Sequence, residues 1–148
     1  MGAIEGLREK GYTGQVTVLS KETYLPIDRT KLSKALIADP AKVLWRPEEF
    51  YRAAGVDFQL GQEAASVDFA AHTVTTKDGK SWPYTKVIFA TGGTPRRLPM
   101  PGFKSLGNIF TLRSIDDVQE IVKVAGTDGG KKIVVIGERP LPSQTRSI

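Results

Sequence analysis

VIFATGG, at residues 87–93, is the part of the chain from which its architecture is most readily inferred. The four apolar residues at 87–90 run without alternation, which is typical of a strand buried on both faces of a parallel sheet. The turn that follows contains Gly92 and Gly93, and glycine allows the main chain to approach a ligand closely. Arg96 comes shortly afterwards, near the strand's carboxyl end, where open α/β sheets bind ligands. A buried strand with an ordinary glycine turn explains these residues equally well.

The N-terminal part of the chain predicts a helix followed by a strand. Residues 1–10 place Ile4 and Leu7 on one helical face, and Gly11 stands where many helices end. Residues 15–19 predict a strand, and residues 56–60 alternate as a half-buried strand does. A helix and then a strand form the second half of a β-α-β unit, so the sequence opens within such a unit.

A predicted antiparallel insert precedes the apolar run. Residues 64–67, 73–76 and 81–84 predict short strands. The last two flank KDGK at residues 77–80, and an Asp-Gly pair at this position is a strong hairpin signal. Pro83 has no amide hydrogen to donate to a neighbouring strand, so it predicts an edge position.

The C-terminal part predicts one helix and one more strand. Ser114 and Asp117 resemble a capping box with aspartate in place of the usual glutamate, and apolar residues follow at helical spacing. Residues 131–137 predict another buried parallel strand that ends at a glycine. A nucleotide-binding fingerprint would continue with further glycines, but none follows. We expect residues 138–148 to be a divergent, disordered tail.

Composition excludes several classes of function. The 148 residues include no cysteine and one histidine, His72, which excludes dithiol redox chemistry and cysteine- or histidine-rich metal sites. No apolar run approaches the roughly 20 residues of a membrane helix, so we expect no transmembrane segment. The net charge of +5 favours anionic partners. Because the basic residues are spread along the chain, a nucleic-acid interface is the weakest interpretation.

Three charged side chains are candidates for nucleotide binding. In dinucleotide folds an acidic residue after the second strand accepts hydrogen bonds from ribose hydroxyls, about 20 residues beyond the glycine fingerprint. Glu22 is at that distance if the fingerprint precedes Met1. Arg29 and Lys34 could offset pyrophosphate charge, which arginine does with two parallel hydrogen bonds. Each of the three also fits a simpler interpretation as a solvated surface charge.

Taken together, these motifs resemble the flavin-dependent pyridine nucleotide-disulfide oxidoreductases, in the branch of apoptosis-inducing-factor-like proteins and ferredoxin reductases. The matching stretches are YLPIDRTKLSK at residues 24–34, ATGGTPR at residues 90–96 and KKIVVIG at residues 131–137. Their order and spacing match as well. The resemblance covers nearly all of residues 1–137, and the TGGTPR wording is most similar to the apoptosis-inducing-factor-like members.

The resemblance implies an α/β fold and a cofactor site. Residues 1–137 would form a partial glutathione-reductase-like, Rossmann-type FAD-binding domain with a small antiparallel β insert, and strand 131–137 would open the NAD(P)H-binding domain. Glu22 would hold the adenosine ribose with Lys21 beside it, and Ala65 would meet the adenine through its backbone. No catalytic residue and no metal ligand are implied. The remaining cofactor contacts would come from Arg29, Lys34, Ala90, Thr91, Gly92 and Arg96.

The resemblance also implies the chemistry. Electrons would pass from NAD(P)H through FAD to an external acceptor, an iron–sulfur protein or a quinone-type partner, while the protein positions the cofactor. The first strand and its glycine fingerprint are expected before Met1, so the chain is expected to be a fragment that is inactive alone. The alternative is a non-enzymatic remnant or interaction module of the same fold that binds no cofactor. Cytoplasmic and mitochondrial locations both stay open, as does the oligomeric state.

Overall fold

The structure is a computed structural model that describes residues 2–126 and 129–136. The chain forms two compact units, the first from Met1–Ile27 and Leu44–Gly92, the second from Asp28–Val43 and Gly93–Ile148. Short 3₁₀ turns occur at Arg29–Lys31 and Pro40–Val43. In chain order the other elements are α1 (Gly2–Glu9), β1 (Val16–Ser20), α2 (Leu32–Ala35), α3 (Glu48–Ala53), β2 (Val56–Leu60), β3 (Ala64–Asp68), β4 (Thr73–Thr76), β5 (Ser81–Pro83) and α4 (Ile115–Ala125).

In the first unit, α1, β1 and β2 form the parallel α/β part. Helix α1 buries Ile4 on its apolar face. Strands β1 and β2 pair in parallel, from Val16 opposite Val56 to Ser20 opposite Leu60. The predicted N-terminal helix and the two predicted strands are therefore confirmed, with bounds that differ by one residue at most for the strands.

Helix α3 supplies the largest buried side chain of the first unit. The helix follows Pro47, which stands at its N-cap, where a missing amide hydrogen leaves no helical bond unmade. Tyr51 is 1% exposed. Its ring packs edge-on against Phe50 and Phe58, at centroid distances of 5.5 and 4.8 Å. Burial raises the pKa of the Tyr51 hydroxyl, so the phenol stays neutral inside the unit.

The antiparallel insert forms as predicted. Strands β3, β4 and β5 lie in that order in one sheet, and the central strand buries Val74 and Thr76. In the turn before β5, Gly79 has a φ of 84°, a left-handed conformation that glycine adopts without strain. Pro83 lies opposite Thr73 on the edge strand β5, as its missing amide hydrogen requires. The parallel pair and this sheet together confirm the predicted α/β fold class.

The hairpin turn contains Asp78, and protonation of its carboxylate should lower the free energy of unfolding. Asp78 accepts a hydrogen bond from the Thr76 hydroxyl at 2.6 Å and pairs with the Lys80 ammonium at 2.9 Å. These contacts lower the pKa of Asp78 to about 2. Because the unfolded value is higher, the carboxylate stabilises the folded state above about pH 4 and loses that contribution as the pH falls towards 2.

We therefore expect Asp78→Asn to flatten the loss of stability between about pH 4 and pH 2. Urea denaturation of both proteins across that range measures it. Gln15→Asn, a substitution of an exposed residue without a titrating group, is the control and should leave the slope unchanged. An Asp78→Asn protein with the same acid slope as the parent would contradict this prediction.

In the second unit, α4 begins at the predicted capping box. Ser114 Oγ accepts a hydrogen bond from the Asp117 amide at 3.1 Å, and Asp117 Oδ2 accepts one from the Ser114 amide at 2.8 Å. Aspartate is thus long enough to replace the usual glutamate. Ile115 and Val118 are buried on one face of the helix, and Gly126 stands at its C-cap.

Two predicted buried strands are wrong. Residues 87–90 form no strand, and Ile88 and Phe89 are 61% and 59% exposed. Residues 131–136 form none either, while Gly137 and the predicted tail at 138–148 lie outside the described residues. An apolar run favours burial, but a strand also needs a hydrogen-bonded neighbour. Within residues 2–126 and 129–136, neither run has one.

Candidate functional site

The nine predicted cofactor residues are divided between the two units. Most of them follow strand ends or lie in irregular backbone, where side chains and main chain are accessible to a ligand. Those of the first unit are Lys21, Glu22, Ala65, Ala90, Thr91 and Gly92, and those of the second are Arg29, Lys34 and Arg96.

Glu22 lies just beyond the carboxyl end of β1 and is half-buried. The Gly61 amide donates to the Glu22 carbonyl at 3.0 Å, and the Gln62 amide donates to the Ser20 carbonyl at 2.8 Å. In addition, Ser20 Oγ accepts a hydrogen bond from the Glu22 amide at 3.2 Å. The acidic residue is therefore fixed at the carboxyl edge of a parallel strand pair, the side on which open α/β sheets bind ligands.

Ala65 lies at an irregularity of β3. Ala64 stands opposite Thr76 and Ser66 opposite Thr75, so Ala65 is an extra residue without a partner in the register. A bulge of this kind takes the backbone of the extra residue out of the regular ladder. Ala65 is also exposed. An exposed backbone outside the regular ladder is accessible to adenine, the contact that the family resemblance implies for Ala65.

The turn from β2 to β3 carries further polar groups. Gln62 Oε1 is buried and has no hydrogen-bond partner in the part of the chain that the structure describes, so a donor from a ligand would satisfy it. Glu63 pairs with Lys77 at 2.8 Å, and this contact holds the pKa of Glu63 below its usual range. The Lys21 charge acts in the same direction, so Lys21 also lies near this turn.

Ala90, Thr91 and Gly92 lie in the segment that forms no strand, and all three are exposed. The ring of Phe89, directly before them, lies 6.3 Å from that of Phe69, the residue that follows β3. Glu22, in contrast, is bonded to the turn before β3. The described contacts therefore associate the two groups with opposite ends of β3.

In the second unit, Arg29 already has a protein partner. It stands in the 3₁₀ turn Arg29–Lys31, and its Nη1 donates to the Arg113 carbonyl at 2.8 Å. That carbonyl immediately precedes the capping box of α4. The guanidinium thus joins two segments separated by 84 positions in the sequence, which is a structural role that the sequence did not predict.

Lys34 and Arg96 remain accessible cations of the second unit, since both side chains belong to exposed residues. Lys34 lies in α2, close enough to Asp28 to influence it. The Thr30 hydroxyl, and more weakly the Lys31 and Lys34 charges, lower the pKa of Asp28. Both side chains are thus accessible to a phosphate.

Ser20, Gly61 and Gln62 are functional candidates that the sequence interpretation missed. All three follow a predicted strand, Ser20 after residues 15–19 and the other two after residues 56–60, which is the position where ligand-binding turns of α/β sheets lie. The position directly after a predicted strand is therefore a signal that the sequence alone contains. The hydrogen bond of Ser20 depends on how the chain bends after β1, and no sequence pattern indicates it.

Metal binding and membrane spanning find no candidate among the described residues. Residues 2–126 and 129–136 contain no group of three histidine, aspartate or glutamate side chains placed to hold a metal ion. Within the same residues, every helix is too short or too polar to cross a membrane.

A parallel strand pair with an acidic residue at its carboxyl edge, together with an antiparallel sheet, is an arrangement that nucleotide-binding α/β proteins contain. Comparison with known protein families gives a match over most of the chain. The pyridine nucleotide-disulphide oxidoreductase family matches residues 1–138. The chain belongs to this family, so the family predicted from the sequence motifs is confirmed.

Individual relatives are similar over much of the chain. Apoptosis-inducing factor 3 of Homo sapiens is 35% identical over 133 residues, which are 90% of this chain and 21% of the human protein. Rubredoxin-NAD(+) reductase of Pseudomonas putida is 34% identical over 118 residues, 78% of this chain and 30% of that protein. The chain therefore spans less than a third of the length of these relatives.

Solved structures agree with the fold. A ferredoxin reductase from Rhodopseudomonas palustris has a TM-score of 0.70 and 27% identity, over 78% of this chain and 29% of its own. Putidaredoxin reductase in its covalent complex with putidaredoxin has a TM-score of 0.71 and 26% identity, over 84% of this chain and 31% of that one. Members of the family bind FAD and use NAD(P)H, which confirms the predicted cofactors for the family.

Proposed function

We propose that this chain provides part of the FAD site of an NAD(P)H-dependent oxidoreductase of the apoptosis-inducing-factor-like or ferredoxin reductase type. The observation that carries the proposal is the fixed position of Glu22 at the carboxyl edge of the β1–β2 pair. A carboxylate there can accept hydrogen bonds from both hydroxyls of a ribose. The bulge at Ala65 and the unpaired Gln62 Oε1 on the neighbouring turn and strand support the same assignment.

The chain's own residues would bind the cofactor rather than react with substrate. In the first unit, Glu22 and Ala65 would hold the adenosine. In the second unit, Lys34 and Arg96 are each able to offset the charge of a phosphate. Bound FAD supplies the redox chemistry, taking electrons from NAD(P)H and giving them to an acceptor outside the chain. The relatives named as reductases of rubredoxin and ferredoxin favour an iron–sulfur protein as that acceptor, with a quinone-type acceptor as the alternative.

The second candidate is a non-enzymatic module of the same fold that binds no cofactor. Two observations favour it. The guanidinium of Arg29 is engaged by the Arg113 carbonyl. In addition, the segment carrying Ala90 and Gly92 forms no strand and has its contacts at the far end of β3 from Glu22. A module of this kind would keep the sheets and helices without assembling the flavin end of the site.

Titration of the purified chain with FAD, followed by quenching of flavin fluorescence, distinguishes the two candidates. We expect binding by the parent chain and about tenfold weaker binding by Glu22→Gln, because an uncharged amide makes weaker hydrogen bonds to ribose hydroxyls. Glu49→Gln is the control and should bind as the parent does. A folded parent chain that leaves the flavin spectrum unchanged would favour the cofactor-free module.

A further inference from the structure

The backbone on both sides of Lys21 is held by one short turn. The Gly61 and Gln62 amides donate to the carbonyls of Glu22 and Ser20, which lie two residues apart. Residues 21 and 22 form a bend directly after β1, and both carbonyls face the turn that follows β2. The chain therefore remains attached to the end of β2 for two residues after β1 itself ends.

Gly61 makes this arrangement possible. Its φ of 71° lies in the left-handed region, where a residue with a β-carbon is strained. The left-handed residue turns the chain directly after β2, so that two successive amides, of Gly61 and Gln62, point back at the end of β1. The position of the acidic residue is thus set by the neighbouring strand's turn.

The side chain of Ser20 completes the attachment. Its Oγ accepts the Glu22 amide hydrogen at 3.2 Å, so the acidic residue is bonded through its amide and its carbonyl, on two different partners. Ser20 is half-buried, which shields this bond from competing water. Removal of the oxygen would leave the Glu22 amide without this acceptor and let the chain after β1 rotate.

We infer that Ser20 is a positioning residue for Glu22, which directs the carboxylate towards the two hydroxyls of a nucleotide ribose. The inference rests on the proposed function, because it assumes that Glu22 binds ribose. Ser20 itself touches no ligand in this assignment. Its effect is therefore on the preference for a nucleotide with ribose hydroxyls over one without them, whereas a general loss of structure would weaken both equally.

The test uses two variants of equal shape. Ser20→Thr keeps a hydroxyl acceptor, and Ser20→Val replaces it with a methyl group, while both residues favour strands. The probes are ADP and 2′,3′-dideoxy-ADP, titrated into the whole chain and followed through the amide signals of residues 20–22 by NMR, which detects millimolar affinities. Asp39→Ala is the matched control, because it removes another side-chain acceptor of a backbone amide, that of Ala41.

We expect the parent chain, Ser20→Thr and Asp39→Ala to prefer ADP, and Ser20→Val to lose about threefold to tenfold of that preference. The Glu22 amide should also exchange faster with solvent in Ser20→Val than in Ser20→Thr. An unchanged preference in Ser20→Val would overturn the positioning role and leave the proposed function standing. A parent chain without any preference for ADP would overturn both, because Glu22 would then not bind ribose. If Ser20→Val fails to fold, Ser20→Ala takes its place with the same expected outcomes.

Discussion

Tyr51→Ala should lower the free energy of unfolding by about 3–5 kcal/mol, the largest effect that we expect from one substitution in the first unit. The ring is 1% exposed and packs edge-on between Phe50 and Phe58. Truncation removes the transfer energy of an aromatic ring and leaves a cavity between α3 and β2, which the rigid strand cannot close. Aromatic pair contacts add to the loss.

Urea denaturation followed by tryptophan fluorescence measures this change, because Trp45 and Trp82 both belong to the first unit. Phe69→Ala is the matched control: it also removes an aromatic ring, but one that is 66% exposed, and should cost about 0.5 kcal/mol or less. Tyr51→Phe separates the ring from the hydroxyl and should cost about 1 kcal/mol. Equal losses in Tyr51→Ala and Phe69→Ala would contradict the packing described here.

Arg8→Ala should lower the free energy of unfolding by about 2 kcal/mol. The guanidinium of Arg8 donates hydrogen bonds to backbone carbonyls of two separate segments. Its Nε donates to Ala54 at 2.7 Å and its Nη2 to Gly55 at 3.3 Å, directly after α3. Its Nη1 donates to Gly14 at 3.0 Å and to Tyr12, before β1. A cation at the carboxyl end of a helix is also favoured by the helix dipole.

Arg8→Lys is the informative companion variant. An ammonium group is a single point of charge and cannot reproduce the planar fork that reaches both groups of carbonyls. We expect it to recover less than half of the loss in Arg8→Ala. Lys10→Ala, at an exposed position of the same segment, should have little effect. Full recovery of stability in Arg8→Lys would show that charge alone accounts for the contribution of Arg8.

Local patterns predicted the elements whose stabilising contacts are close in sequence. The capping box needs only Ser114 and Asp117, three positions apart, and the hairpin needs only Asp78 and Gly79 between two alternating runs. Pro83 indicated an edge strand because its missing amide hydrogen cannot take part in the ladder of a central strand. In each case the residues that decide the conformation are neighbours along the chain.

The remaining features depend on partners that are distant in sequence. The apolar run at 87–90 predicted a buried strand, but nothing within the run says which strand would pair with it. None among the described residues does, and Ile88 and Phe89 are exposed. Likewise, Arg29 carries no local sign that it will bond to the Arg113 carbonyl. Motifs therefore nominated residues for the candidate site, and those assignments stay predictions. The hydrogen bonds that these residues make to distant parts of the protein were not predictable from the motifs.

The extra residue in β3 has a consequence for how this chain can change in length. Ala64 and Ser66 face consecutive residues of β4, Thr76 and Thr75, so excision of Ala65 would leave every existing pair in place and yield an uninterrupted ladder. Insertions and deletions within a sheet usually shift all later pairs and reverse which side chains face inwards. At this one position the sheet can gain or lose a residue without that cost, so nearby binding contacts can evolve separately from the strand pairing that supports them.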